Sequence, residues 1–307
     1  MPTADLRALP FFSAATAWLE SRRSYISAST HRDYTIYIRT LAKYFSDFYL
    51  NEISADQIRT FQHVRMAEVQ WSSINKETSV LQQMLKRIGH WPAIAHDFQP
   101  LPPPKNADEI GRCITDEEET RFFRIALDRP AWCVAAWASL LSVNTTAGPG
   151  EMLHLRIADL DLDNKKTIRI SPEGAKNRTV RVRNIPLNDS ALWAARMFLA
   201  RARHECQCLA PEHYLIPFHE TARIYNPHRP QASYYKAFNA ILARAKLKFR
   251  PYDFRHTAIT RLLEDPDVPL EVARAISGHI ISDRMIRRYF HGRLSAQRSA
   301  IVFGAFA

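Results

Sequence analysis

The sequence has no uncharged apolar run as long as the roughly 18 residues that a membrane span requires. Its first residues, MPTADLRALPFF, also lack the basic stretch followed by an apolar core that is typical of a secretory leader. These two absences predict a cytoplasmic protein that does not contact a membrane.

Cysteine is scarce, and its four positions do not have the spacing of a disulfide scaffold: Cys113, Cys133, Cys206 and Cys208. The segment HECQC brings His204, Cys206 and Cys208 close together, where they can contact a metal. Two-residue spacing without a second ligand pair is not a usual zinc arrangement, so we predict no metal site.

Positive charge is abundant: 42 Lys and Arg against 31 Asp and Glu give a formal net charge of +11. Because the positively charged residues are spread along the whole chain, the pattern favours a polyanionic partner, and nucleic acid is the leading candidate. Charge alone leaves open a ribosome-associated or merely basic protein. The length of 307 residues predicts two domains.

Residues 1–97 have the apolar periodicity of a small helical bundle. The apolar positions of the first two predicted helices are Phe12, Ala15, Trp18 and Leu19, then Tyr34, Ile38, Leu41, Phe45 and Phe48. A third helix begins with a capping box from Ser54 to Gln57, and its apolar stripe is Ile58, Phe61 and Val64. A fourth runs from about 73 to 88 and stops at Gly89, with Lys76, Lys86 and Arg87 on its outer face.

A proline-rich stretch, FQPLPPPKNADEIGR at 98–112, forbids helix and favours an extended segment. It predicts a linker over 98–111 and a second domain over 112–307, whose first helix has a capping box from Thr115 to Glu118. Between 167 and 187 the apolar period becomes two, which predicts a β-hairpin. Its facing residues and turn are Ile168 and Ile170 opposite Val180 and Val182, with Gly174, Lys176 and Asn177 between. Helices are predicted at about 189 onward, 232–247, 253–264, 269–276 and 282–290, so this domain is mainly α.

Exchange of a phosphodiester without loss of its energy needs a nucleophile, cations for the non-bridging oxygens and an acid for the leaving 5′ oxygen. Candidates lie in YDFRHT at 252–257, SGH at 277–279 and RYFH at 288–291. Their order resembles the signature of the tyrosine recombinases, or phage integrases. The resemblance implies a helical, SAM-like core-binding domain and a mainly α catalytic domain with a small antiparallel sheet, together forming a C-shaped DNA clamp.

The resemblance also implies roles for individual residues. Tyr289 matches the nucleophile, Arg255 an arginine that holds two phosphate oxygens, and His279 a histidine that hydrogen-bonds the phosphate. Periodicity alone favours a packing role for Tyr289, because Met285, Ile286 and Phe290 share its helix face, and only the family pattern favours catalysis. Lys176 matches the lysine that protonates the leaving 5′ oxygen, although Lys166 and Arg178 lie nearby and Arg178 is also a DNA-binding candidate.

The segment NTTAGPGEMLHLR at 144–156 resembles the family's first box but departs from it. The family places an arginine three residues before the glutamate, and here Gly148 precedes the supporting Glu151. Arg156 is not an obvious substitute, and Tyr252 stands where a histidine is most frequent. Loss of the guanidinium is expected to slow cleavage by roughly a hundred- to a hundred-thousand-fold while DNA binding survives.

Three functions therefore compete. The first is a recombinase or integrase of a mobile element that acts on double-stranded DNA without a metal or cofactor, as a dimer on each site and a tetramer in synapsis, in the nucleoid. The second is a catalytically impaired DNA-binding homologue or inactivated variant, which Gly148 supports, whether natural or introduced. The third is an unrelated basic helical protein. An apolar tail docks on a neighbouring subunit or folds back: Ile301, Val302, Phe303 and Phe306.

Overall fold

The computed structural model describes residues 6–103, 112–171, 173, 182–206, 209–221 and 224–278. The chain divides into two compact units, Met1–Ala107 and Asp108–Ala307. Within the described ranges, no helix combines the length and apolar character needed to cross a membrane.

Residues 6–103, the described part of the first unit, form a helical bundle. Its helices are α1 (Phe11–Ser21), α2 (Ala28–Phe45), α3 (Ala55–Arg65), α4 (Trp71–Arg87) and α5 (Trp91–Ile94), with a 3₁₀ turn at Leu50–Glu52. The predicted placement of Phe12 in the core was wrong: Phe12 is 49% exposed, and the adjacent Phe11 is buried. Phe11 and Trp18 are seven residues apart, which places both on the same side of α1. Val64 is also exposed, because the buried face of α3 continues through Gln62 and Arg65.

Two sequence signals at helix ends are confirmed in this unit. The Gln57 N–H donates to Ser54 Oγ at 3.3 Å, and the Ser54 N–H donates to Gln57 Oε1 at 2.7 Å, which completes the capping box of α3. After α4, Gly89 adopts a left-handed φ of 72°, and the next amide, of His90, bonds back to the Leu85 carbonyl.

The described part of the second unit is mainly α with two small antiparallel sheets. Its helices are α6 (Asp116–Ala126), α7 (Cys133–Thr145), α8 (Pro149–Leu153), α9 (Asp189–Cys206), α10 (Tyr235–Ala245), α11 (Pro251–Glu264) and α12 (Leu270–Ser277). Its strands are β1 (Leu160–Asp161), β2 (Thr167–Ile170), β3 (Arg183–Pro186), β4 (Pro217–His219) and β5 (Tyr225–Pro230). Helix α7 is apolar on nearly all sides and packs against both α9 and α11, as expected for a central helix. The Thr115–Glu118 capping box of α6 is confirmed.

The register of the three-stranded sheet corrects the predicted hairpin. Strand β2 pairs with β3 so that Ile168 lies opposite Ile185 and Ile170 opposite Arg183. Val182 lies before β3 and is 48% exposed, so it is not a core partner of β2; Val180 lies outside the described residues. The alternation of β3 turns Arg183 and Ile185 inward, and Arg183 thereby enters the interior of the unit.

A phenylalanine cluster fixes the orientation of α11. Phe254 is fully buried, and its ring centroid lies 5.1 Å from that of Phe122 on α6 and 5.5 Å from that of Phe249. Because successive residues of a helix point about 100° apart, this anchoring turns the next residue, Arg255, toward the segment that follows α7.

Candidate active site

A tight turn after α7 positions the Glu151 carboxylate. Thr146 adopts a left-handed conformation, with φ of 58°, and Gly148 becomes the N-cap of the short helix α8. The Gly148 N–H donates to Glu151 Oε2 at 2.8 Å. A carboxylate at this third helical position is favoured because it satisfies an amide that has no partner in the helix.

The carboxylate of Glu151 is shared by two buried arginines. Arg183 binds it with both terminal nitrogens, Nη1 to Oε1 and Nη2 to Oε2, each at 2.9 Å. Arg255 Nη1 donates to Oε2, also at 2.9 Å. Burial alone would raise the pKa of Glu151, but the hydrogen bond from Arg183 and the charges of both arginines outweigh it. The pKa of Glu151 therefore lies below its ordinary value, and the group is a carboxylate at neutral pH.

Arg255 links three separate segments of the unit. Besides Glu151, its Nη1 donates to the Thr146 carbonyl and its Nη2 to the Ser277 carbonyl at 2.8 Å. Thr146 Oγ1 in turn donates to the Ile276 carbonyl at 2.9 Å, so the end of α12 is tied to the same turn. The Arg255 side chain is only 6% exposed, so these protein groups rather than solvent surround it.

Gly278 ends α12 in a conformation that favours glycine. Its φ is 67°, and a Cβ at this position would lie 2.7 Å from Arg183 Nη1. The missing side chain thus makes room for the Arg183 guanidinium, directly before residue 279. The helix predicted over 269–276 is confirmed, and Gly278 is its C-cap.

Gly148 leaves space at the centre of this cluster. A Cβ there would meet only ordinary contacts: Glu151 Oε2 at 3.6 Å, and Arg255 Cδ and Tyr252 Cε2 at 3.7 Å. Tyr252 is 44% exposed, and Arg255 Cζ lies 5.9 Å from its ring centre. Four residues predicted from the sequence therefore lie together: Gly148, Glu151, Tyr252 and Arg255.

A comparison with protein families gives two matches, and both follow the division of the chain. Residues 11–64 match the N-terminal SAM-like domain of phage integrases, and residues 112–295 match the phage integrase family itself. The second match spans more than half of the chain and contains every residue of the cluster. The chain belongs to the phage integrase family. Membership supports site-specific DNA recombination as its activity.

Solved structures show the same fold in other members. The Tn1549 transposon integrase in complex with a circular intermediate DNA has a TM-score of 0.77 and 16% identity, covering 97% of this chain and 100% of that chain. A lambda integrase dimer bound to a COC′ core site has a TM-score of 0.67 and 17% identity, covering 94% and 79%. A lambda integrase tetramer bound to a Holliday junction has a TM-score of 0.63 and 18% identity, covering 89% and 77%. No curated protein matches the sequence.

Arg156, the other arginine of the first family box, belongs to a different cluster. Its Nη2 donates to Glu173 Oε1 at 3.0 Å and to the Tyr214 hydroxyl at 2.9 Å, and its guanidinium stacks on the Tyr214 ring. The Tyr214 hydroxyl also donates to Glu173 at 2.7 Å. Because its donors are engaged there, Arg156 is not placed to take the role that the sequence resemblance gives to an arginine at position 148.

Several predicted site residues fall outside the described residues: Lys176, Arg178, His279 and Tyr289. In the first unit, Lys76, Lys86 and Arg87 are exposed on α4, as a DNA-contacting surface requires, and their role stays a prediction. In the HECQC segment, Cys208 is likewise outside, and the described part of the chain contains no cluster of three His, Cys, Asp or Glu side chains.

Arg183 is the site residue that the sequence analysis missed. A signal for it existed: the period-two pattern that turns Ile185 inward also turns Arg183 inward, and a buried arginine requires an anionic partner. The pattern does not name that partner, since Glu151 lies 32 residues earlier in the chain.

Proposed function

We propose that this protein is a site-specific recombinase that cleaves and rejoins double-stranded DNA through a 3′-phosphotyrosyl intermediate. The observation that carries the proposal is the placement of Arg255. It is buried, oriented by Glu151 and two backbone carbonyls, and lies within the region that matches the family. A buried cation fixed in this way is suited to stabilise the negative charge of a phosphate.

The proposed chemistry is an exchange of phosphate esters. The Tyr289 oxygen attacks the scissile phosphorus and gives up its phenol proton, which His279 accepts. The bond from phosphorus to the 5′ oxygen breaks, and Lys176 protonates that oxygen. Because the phosphodiester energy is retained in the protein–DNA bond, a second DNA strand can reverse the step without a nucleotide cofactor.

The electrostatic setting supports the role of Arg255. Charge accumulates on the non-bridging oxygens during attack, and a donor fixed beforehand in a water-poor site stabilises that charge strongly. The depressed pKa of Glu151 keeps its carboxylate charged, so the orientation of Arg255 persists at neutral pH.

The proposed partner is duplex DNA, bound by a dimer on each site and by a tetramer in synapsis, in the nucleoid. The net charge of +11 and the exposed cations of α4 support electrostatic binding along the phosphate backbone. The lambda integrase assemblies described above support these oligomeric states.

A second candidate function is a DNA-binding homologue with impaired cleavage. Gly148 favours it, because the family arginine is missing there while the surrounding cluster is intact. DNA binding survives this loss, since affinity is spread over many phosphate contacts.

Covalent capture distinguishes the two. Nicked suicide substrates drawn from a random-sequence library are incubated, in the presence of a metal chelator, with the unaltered protein, Tyr289→Phe or Gly148→Arg. An adduct resistant to denaturant that Tyr289→Phe abolishes supports the recombinase. An adduct formed only by Gly148→Arg supports the impaired homologue. If the unaltered protein and Gly148→Arg both bind DNA but neither forms an adduct, the assignment of Tyr289 as the nucleophile is contradicted.

A further inference from the structure

In the part of the chain that the structure describes, one hydrogen-bond donor of Arg183 is unused. Its two terminal nitrogens bind Glu151, but its Nε is buried and has no hydrogen-bond partner among the described residues. The side chain is 5% exposed, so water does not readily compensate. A buried guanidinium N–H without an acceptor is costly, and this arrangement favours a ligand that brings an oxygen to it.

The position of Arg183 relates it to the missing family arginine. Glu151 Oε2 lies 2.9 Å from Arg183 Nη2 and 3.6 Å from the place where a Cβ at position 148 would be. The Arg183 guanidinium therefore lies within one arginine side-chain length of that place. It reaches the cluster from β3, whereas the family arginine would reach it from α8.

Arg183 lies among the residues that are proposed above to act on the phosphate. It shares Glu151 with Arg255, and it fills the space that Gly278 leaves open directly before residue 279. Together the side chains of Glu151, Arg183 and Arg255 carry a net positive charge. In a water-poor site such a charge favours an anion, and the proposed substrate supplies a phosphate.

We propose that Arg183 contacts the scissile phosphate and provides the second guanidinium that Gly148 does not. The inference rests on the proposed recombinase function. It makes Arg183 a catalytic residue and Gly148 a tolerated departure, because the cation is supplied from another strand.

The test compares two substrates at the scissile position, a phosphodiester and a methylphosphonate in which a methyl group replaces one non-bridging oxygen. Loss of that charged oxygen reduces the need for a second cation. Single-turnover cleavage is measured for the unaltered protein, Arg183→Gln and Arg183→Lys. The matched control is Arg169→Gln, on the neighbouring strand, where the arginine is 54% exposed and pairs loosely with Asp159.

We expect the loss of Arg183 to slow cleavage of the phosphodiester much more than cleavage of the methylphosphonate. Arg183→Gln slows phosphodiester cleavage about a hundred- to a thousand-fold, which is typical of one lost transition-state donor. On the methylphosphonate the same variant is slowed by less than about tenfold, and Arg169→Gln changes neither rate by more than that. Equal losses on both substrates indicate that Arg183 only holds Glu151 in place, and they overturn the proposal.

The Arg183→Lys variant guards against misfolding of Arg183→Gln. Arg183→Lys keeps a positive charge beside Glu151 but lacks the forked guanidinium. Its cleavage rate is therefore expected to fall less than that of Arg183→Gln, and again only on the phosphodiester. If Arg183→Gln does not fold, the lysine variant makes the same comparison. Addition of Gly148→Arg to either variant is expected to raise its cleavage rate at least tenfold, because it returns a guanidinium to the cluster. If the rate does not rise, the proposal is contradicted.

A binding measurement separates this inference from the function on which it rests. The slope of log affinity against log salt changes by about 0.9 for each duplex phosphate contact. A reduced slope in Arg183→Gln supports the contact even where Tyr289 forms no adduct and the recombinase proposal fails. An unchanged slope together with Tyr289-dependent cleavage contradicts the contact and leaves the recombinase standing.

Discussion

Replacement of Glu151 by glutamine is expected to destabilise the second unit severely. The substitution keeps the size of the side chain but removes the one carboxylate that Arg183 and Arg255 share. The Arg183 and Arg255 side chains are only 5% and 6% exposed, and loss of the partner of a buried ion pair typically costs about 3–5 kcal/mol. The amide of Gly148 also loses a charged acceptor.

The same carboxylate gives the unit a dependence on pH. The folded-state pKa of Glu151 lies below its ordinary value of 4.5, so its stabilising contribution is present above pH 4.5 and is lost as the pH falls through the depressed folded pKa. Glu151→Gln removes this part of the acid destabilisation. The difference in unfolding free energy between the two proteins should therefore shrink in acid.

The suitable assay is urea unfolding monitored by hydrogen exchange, because peptides from α7 report on the second unit alone. The matched control is Asp116→Asn, which breaks a pair with Arg261 at 2.7 Å in which Asp116 is 95% exposed. That pair should be worth less than about 1 kcal/mol. If Glu151→Gln costs no more than Asp116→Asn, or if its effect is the same at all pH values, the ion-pair cluster does not stabilise the unit as described.

Two other substitutions test local parts of the account. Gly278→Ala forces a side chain into a left-handed conformation against Arg183 Nη1 and is expected to cost about 1–3 kcal/mol, measured by urea unfolding of the second unit; an unchanged midpoint contradicts the close approach. Ser54→Ala removes the cap of α3 and is expected to cost about 1 kcal/mol, seen as faster hydrogen exchange at the Gln57 amide, and unchanged protection of that amide contradicts the cap.

Local signals made much of the fold predictable. The capping boxes at Ser54 and Thr115 and the left-handed ends at Gly89 and Gly278 depend on neighbouring residues only, and the structure has all four. Phe12 was misplaced because two adjacent phenylalanines begin α1, and periodicity over one short helix does not decide which ring is buried.

Features that depend on distant residues were less predictable. Strands β4 and β5 were missed because they are short and contain prolines at 217, 227 and 230, which are unfavourable in sheets. The pairing of β2 was predicted with Val182 instead of Ile185, since apolar character does not fix the register across a turn.

In the candidate site, too, residues in local motifs were predictable and a contact between distant residues was not. The ordered family motifs identified Glu151 and Arg255 and drew attention to Gly148, all within one cluster. Arg183 reaches Glu151 through a strand register and a glycine 95 residues further along the chain, and no local pattern encodes such a contact.

The central claim is that Tyr289 carries the DNA during strand exchange, and identification of the modified residue tests it most directly. Adducts captured on suicide substrates are trimmed with nuclease and protease, and the peptide that retains a nucleotide is sequenced by mass spectrometry. A 3′-phosphonucleotide is expected on Tyr289, and none is expected in Tyr289→Phe. A nucleotide on another side chain, or an adduct that persists in Tyr289→Phe, would contradict it.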